Sequence, residues 1–192
     1  MKKTVFIVPG YKHQPTNRAY VKIAKMLKDQ GYLPVPISIP WKQTTISENT
    51  DYFLRKFRKK TKVGKKYILG FSYGAVIAFL ASTKVRTAGL ILCSLSPYFK
   101  EDLLKTRNPR FEDYINLNCS TLAKNLKAEK ILMLYGEKED RLLKNRVIDT
   151  FSEISNPNKY LIPIRNTEHN IGDSRYLNKI YQEVQRLDYT IN

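Results

Sequence analysis

A chain of 192 residues is long enough for one domain with a substantial core and too short for two of ordinary size. Lys and Arg number 34 against 17 Asp and Glu, a net charge of +17, which raises nucleic acid, anionic lipid or a phosphate-bearing substrate as acidic partners. Two cysteines are too few for a disulfide framework, and no apolar run approaches the roughly 20 residues of a membrane span, so the expectation is a soluble cytoplasmic protein with no membrane partner.

The chain begins Met1-Lys2-Lys3, and the apolar run Thr4 to Val8 reads as a first core strand; it is too short for a secretory leader and stops at Pro9-Gly10. Asn17 to Gln30 has helical spacing, with Tyr20, Val21, Ile23, Ala24 and Leu27 as its apolar positions and Gly31 as its stop. A strand at Tyr32 to Ile39 and a helix at Ser47 to Lys60 follow. The strand Lys66 to Leu69 then runs into Gly70-Phe71-Ser72-Tyr73-Gly74 and a helix at Gly74 to Thr83. Thr87 to Ser94 is the next strand, in which Cys93 reads as an ordinary buried thiol.

Residues 96–128 are less regular, carry Pro97, Pro109 and several aromatics, and are the only stretch long enough for a small lid over a cleft. Beyond them come a strand at Lys130 to Tyr135, a helix at Asp140 to Ile154, a turn at Ser155-Asn156-Pro157-Asn158, a strand at Lys159 to Ile164 and a helix at Ser174 to Leu187. Short apolar runs alternating with longer amphipathic ones predict an α/β domain over residues 1–192: a three-layer α/β/α sandwich around a mostly parallel sheet. No repeat, low-complexity segment or interdomain linker interrupts it.

The basic residues are partly clustered. Arg55, Lys56, Arg58, Lys59, Lys60, Lys62, Lys65 and Lys66 fall in a stretch without an acid, at the end of a helix and the loop leading to the next strand. Cations at a helix C-terminus are favourably placed, so a solvated helix face is the preferred reading over a binding patch. No motif with a defined docking geometry and no interleaving of bases with stacking aromatics supports a nucleic-acid partner.

Gly70-Phe71-Ser72-Tyr73-Gly74 is Gly-x-Ser-x-Gly between a strand and a helix. A strand turning sharply into a helix holds its apical serine in a strained conformation, and small residues two before and two after let neighbouring backbone pass. Ser72 is therefore the candidate nucleophile. A serine hydroxyl needs a base to take its proton and a group to orient that base. Of the two histidines, His169 follows the last strand, where the order nucleophile, acid, histidine puts the base; without the elbow it would read as an ordinary loop histidine.

The orienting carboxylate is expected after the penultimate strand, in Gly136-Glu137-Lys138-Glu139-Asp140. Asp140 is the first choice, because Leu142-Leu143 follows it at the usual interval; Glu139, at the more usual distance from Gly136, is the alternative acid. Either could instead cap the next helix. Two N–H groups must also meet the oxyanion, one from Tyr73 after the nucleophile and one from Tyr11 in the loop after the first strand. His13 then lies on the rim, as a possible substrate contact or a plain surface residue. No metal and no cofactor is called for.

With these residues in view, the chain resembles the α/β-hydrolase superfamily over nearly its whole length, from Val8-Pro9-Gly10-Tyr11 through Gly70-Phe71-Ser72-Tyr73-Gly74 and Tyr135-Gly136-Glu137-Lys138-Glu139-Asp140 to Glu168-His169-Asn170. The resemblance implies a small single-domain serine hydrolase without a large cap, with Ser72 as nucleophile, His169 as base and an acyl-enzyme intermediate hydrolysed by water. Its expected substrate is a small-molecule carboxylic ester or thioester, and the basic balance hints at an anionic one. Two departures are that the acid, if Asp140, lies one residue later than is common, and that the chain is shorter than most members.

Two other readings share the same residues. A noncatalytic binding protein on this scaffold would use its basic face for a partner and would have no need of Ser72, His169 and an acid together. An acyltransferase would use the same triad with an alcohol or amine in place of water.

Overall fold

A computed structural model describes residues 1–42, 44–60, 63–95 and 117–187. Six strands, β1 (Lys3–Val8), β2 (Leu33–Pro36), β3 (Lys65–Phe71), β4 (Gly89–Cys93), β5 (Ile131–Gly136) and β6 (Lys159–Ile164), form one sheet in the order β2-β1-β3-β4-β5-β6. Every pairing is parallel. The helices are α1 (Arg18–Asp29), α2 (Ile46–Lys60), α3 (Tyr73–Lys84), α4 (Cys119–Lys124), α5 (Arg141–Glu153) and α6 (Ser174–Gln185). This is the three-layer α/β/α arrangement that the alternation predicts.

Alternation along β1 sets the two cores. Val5 and Ile7 point into one with Tyr20, Ile23 and Leu27 of α1 and Ile180 and Val184 of α6. Phe6 and Val8 point into the other with Phe53 and Phe57 of α2 and the apolar residues of α3. Phe6 packs on Phe57 with ring centroids 4.7 Å apart, and all of Tyr73 to Ser82 in α3 is buried, so this helix is covered on every side. Each fully buried Phe or Ile contributes roughly 1.5–3 kcal/mol relative to exposure.

Local chemistry fixes the helix ends. Thr45 N–H donates to Glu48 Oε2 at 2.8 Å and Glu48 N–H to Thr45 Oγ1 at 3.3 Å, a reciprocal capping box before α2. Gly31, at φ +80°, follows α1 and lets the Tyr32 N–H reach back to the Leu27 carbonyl at 3.0 Å. The α2 residues Arg55, Lys56, Arg58, Lys59 and Lys60 are all exposed.

Most strand bounds shift by a residue or two from the sequence expectation, β3 running on from Leu69 to Phe71, and the largest change is at β2. β2 covers only Leu33–Pro36 rather than Tyr32 to Ile39, because Pro34 and Pro36 lack the N–H that a longer ladder needs; the strand survives as a sheet edge, paired to β1 alone. β4 ends at Cys93, because Ser94 turns to φ +49°. The expected lid at 96–128 lies largely outside the described residues; within its described end, Cys119–Lys124 is helical.

From β1 the chain passes one way to β2, then returns across β1 to β3 and continues outward. The crevice outside the carboxyl ends of β1 and β3 is therefore the topological switch point, where α/β sheets bind ligands. All four non-glycine residues at positive φ among the described residues lie just past the carboxyl ends of strands: Lys12 after β1, Ser72 after β3, Ser94 after β4 and Asn166 after β6. Strained backbone is concentrated on that one edge.

Candidate active site

β3 stays regular to Phe71, and Ser72 then takes φ +54° and ψ −122° before α3 begins at Tyr73. Such a backbone costs on the order of 1–3 kcal/mol, and its surroundings hold it: the Ser72 N–H donates to the Cys93 carbonyl at 2.8 Å, while the Ser72 carbonyl accepts from Ala75 N–H at 2.9 Å. The two glycines are demanded by contact. A Cβ on Gly70 would lie 2.3 Å from the Gly74 carbonyl oxygen, and one on Gly74 would lie 2.3 Å from the carbonyl oxygens of both Val8 and Pro9. The loop after β1 thus runs directly against the elbow.

His169 reaches the elbow from the loop after β6, its Nε2 2.9 Å from Ser72 Oγ. The Phe71 ring lies beside the imidazole, with centroids 4.9 Å apart. Glu139 stands on the far side, its Oε2 3.4 Å from His169 Nδ1 and its side chain fully buried. Oε1 of the same carboxylate accepts from the Gly136 N–H at 2.9 Å and from the Ser94 hydroxyl. The Ser94 oxygen in turn lies 2.7 Å from the Tyr176 hydroxyl, which donates to the Leu134 carbonyl at 3.2 Å.

The carboxylate beside His169 is that of Glu139, whereas Asp140, the first choice from sequence, does not meet the histidine. Asp140 is exposed at the N-cap of α5, where its Oδ1 accepts from Leu142 N–H at 2.8 Å. The two adjacent residues fall on opposite sides of the chain, one turned into the protein by the Gly136 N–H and one turned out to the helix end.

The acid and histidine loops are stitched together by backbone. Glu137 N–H donates to the Ile164 carbonyl at 3.0 Å and Lys138 N–H to the Thr167 carbonyl at 2.9 Å. Gly136 allows this approach, since a Cβ there would lie 2.2 Å from the Thr167 carbonyl oxygen.

Tyr73 is the first residue of α3, so its N–H belongs to the electropositive helix start beside Ser72. Tyr11 is its neighbour across the elbow, the two rings lying 5.7 Å apart, and Trp41 packs edgewise on both. His13 is half-buried on the same rim, stacked on the Phe71 ring at 6.2 Å. Burial and the neighbouring His169 hold the His13 imidazole below its ordinary pKa.

Sequence reasoning did not find Ser94, Tyr176, Tyr20 or Phe71 as parts of this site. Ser94 carried a faint signal as the polar residue ending an apolar strand. Tyr20 and Tyr176 are buried helix residues that read as core, and only the fold brings their hydroxyls to the loops. Burial pushes the Tyr176 hydroxyl and the Cys93 thiol up in pKa, leaving both neutral near Glu139. Among the described residues no group of His, Cys, Asp and Glu is placed to hold a metal ion, and no helix is long and apolar enough to cross a membrane.

No family model matches the sequence and no curated protein resembles it by sequence. Its fold is widely shared among solved structures. Est1E from Butyrivibrio proteoclasticus superposes with a TM-score of 0.81 at 15% identity, over 96% of this chain and 86% of that one. XC6422 from Xanthomonas campestris, described as an α/β serine hydrolase without lid, gives a TM-score of 0.68 at 15% identity, over 96% and 80%. A dienelactone hydrolase from Anabaena variabilis gives 0.72 at 14% identity, over 97% and 85%. Together with the parallel sheet and the strand-to-helix elbow at Ser72, these likenesses identify the architecture of the chain as the α/β-hydrolase fold.

Proposed function

We propose that the protein is a serine hydrolase that cleaves a small-molecule carboxylic ester or thioester through an acyl-enzyme on Ser72. The observation that carries this reading is the line Ser72 Oγ, His169 Nε2, His169 Nδ1, Glu139 Oε2, with separations of 2.9 Å at the first contact and 3.4 Å at the last. A buried carboxylate beside one imidazole nitrogen favours the proton on that nitrogen and leaves the other free to accept the serine proton.

In the acylation step Ser72 Oγ attacks the carbonyl carbon as its proton passes to His169 Nε2. The carbonyl oxygen becomes an oxyanion, for which the backbone N–H groups of Tyr11 and Tyr73 are the proposed donors, supported by the packing of their loops against each other. Collapse expels the alcohol or thiol, which takes the proton from His169. Water then repeats the sequence: His169 removes its proton, the oxygen attacks the acyl carbon, and Ser72 leaves with the proton returned. Throughout, the Glu139 carboxylate stays beside His169 Nδ1 and stabilises the imidazolium.

The test is a panel of p-nitrophenyl esters of increasing acyl length, with matching acyl-coenzyme A thioesters, run on wild type and Ser72→Ala. Turnover that varies along the panel and falls by about four orders of magnitude or more in Ser72→Ala is the expected result. Equal turnover by the two proteins would refute the reading.

A further inference from the structure

His13 is built into the rim more firmly than a surface histidine needs to be. Its backbone N–H donates to the Gly10 carbonyl at 2.9 Å, its carbonyl accepts from Trp41 Nε1 at 3.0 Å, and the preceding Lys12 takes a positive φ of 60°. The ring lies parallel to Phe71, within 9°. Phe71 precedes Ser72 in the chain and also packs on His169, so the two histidines share one aromatic neighbour at the elbow.

Among the described residues, the ring is held at one nitrogen only. Nδ1 lies 2.9 Å from the Tyr20 hydroxyl, and that same hydroxyl accepts from the Gly10 N–H at 2.8 Å. Tyr20 is completely buried. If His13 Nδ1 carried the proton, the Tyr20 O–H would have no acceptor among the described residues, a costly omission for a buried donor. The arrangement that satisfies every group is a relay in which Gly10 N–H donates to Tyr20 Oη and Tyr20 O–H donates to His13 Nδ1. A neutral imidazole then carries its proton on Nε2. The lowered basicity of His13 agrees with this neutral form. Among the described residues, Nε2 meets no partner.

We propose that His13, fixed in its Nε2–H tautomer by Tyr20, is a specificity-determining donor that engages an oxygen acceptor of the substrate close to the scissile ester group. The inference rests on the hydrolase reading and deepens it: the preferred substrates carry an ether, hydroxyl or carboxylate oxygen near the reacting carbonyl, on its acyl or its alcohol side. A plain alkyl ester offers that N–H no acceptor beyond the ester group itself.

Two measurements test it. Long-range ¹H–¹⁵N correlation spectra of the labelled protein read the tautomer directly, with only two histidines to assign. Wild type should show His13 as neutral Nε2–H, and Tyr20→Phe should show a mixture of tautomers; a wild-type Nδ1–H signal would overturn the proposal. The second measurement compares kcat/KM for esters with and without the acceptor. Methoxyacetate against butyrate p-nitrophenyl esters probe the acyl side, and 2-methoxyethyl against butyl thioesters of one acid probe the other.

His13→Leu should lower the oxygen-to-carbon ratio three- to tenfold in one of these pairs, the worth of one hydrogen bond, and His13→Gln, which keeps a donor, should restore part of it. Unchanged ratios in both pairs, in an enzyme that turns the esters over through Ser72, would overturn the donor role alone. Absence of Ser72-dependent turnover would overturn the hydrolase reading and the donor role with it.

Discussion

The backbone N–H of Gly136 donates to the side-chain oxygen Oε1 of Glu139, three residues further on, at 2.9 Å. This bond folds the carboxylate back under its own loop, presents Oε2 to His169, and leaves the next residue, Asp140, at the mouth of α5.

The first prediction separates those two neighbours. Glu139→Gln keeps the shape but removes the charge proposed to hold the histidine tautomer, and kcat should fall by roughly three to four orders of magnitude. Asp140→Asn retains a good cap and should leave kcat within about twofold of wild type, while Asp140→Ala should cost about 1 kcal/mol of stability without a comparable loss of activity. Steady-state kinetics and urea unfolding of the three variants check it.

Ser94 should act through Glu139. Ser94→Ala removes a hydroxyl from a buried carboxylate and should lower kcat with little change in KM, because the residue lies behind the acid and away from the substrate. A loss confined to KM would contradict this placement. Ser94→Gly relieves the φ of +49° and should be the more stable of the two variants while sharing the kinetic defect.

Gly136 and Gly31 make a second comparison. A Cβ on Gly136 meets the Thr167 carbonyl at 2.2 Å and must push the acid loop off the histidine loop, so Gly136→Ala should cost roughly 2 kcal/mol or more and reduce activity beyond the loss of folded protein. Gly31 has open space around it but a φ of +80°; Gly31→Ala should cost about 1–2 kcal/mol and leave kcat alone. Thermal melts paired with kinetics at a temperature where both variants are folded distinguish the two.

A pH dependence follows from His13. Its pKa is lowered in the folded protein by burial and then by His169, so below the unfolded value near 6.5 the unfolded chain binds a proton that the native state resists. This group therefore contributes stability above that pH that is lost as pH falls through 6.5 toward the folded pKa. The fall in unfolding free energy between pH 7 and pH 5 should be smaller in His13→Gln than in wild type, measured by urea titrations at matched ionic strength.

Much of the fold was legible because its signals are local. Parallel strands buried on both faces read as short apolar runs, as in Ile68-Leu69 and Ile131 to Leu134, and α1 shows its buried Tyr20, Ile23 and Leu27 at helical spacing. The elbow was legible because Gly70 and Gly74 answer to backbone contacts within the same turn or one loop away. What could not be read was the direction of adjacent side chains in an irregular loop. Glu139 and Asp140 are both carboxylates before a helix, and which one turns inward depends on the Gly136 N–H, on Ser94 45 residues earlier, and on His169. The Tyr20 and Tyr176 hydroxyls were hidden for a related reason: helical periodicity marks a tyrosine as buried without saying where its oxygen ends.

The central claim, that Ser72 is an activated nucleophile, is tested most directly by reacting the protein with a fluorophosphonate probe and mapping the adduct by peptide mass spectrometry. A single adduct on Ser72, absent from Ser72→Ala and slowed in Glu139→Gln, is the predicted result. Undiminished labelling of Ser72→Ala, or no labelling of the folded wild type, would contradict the account.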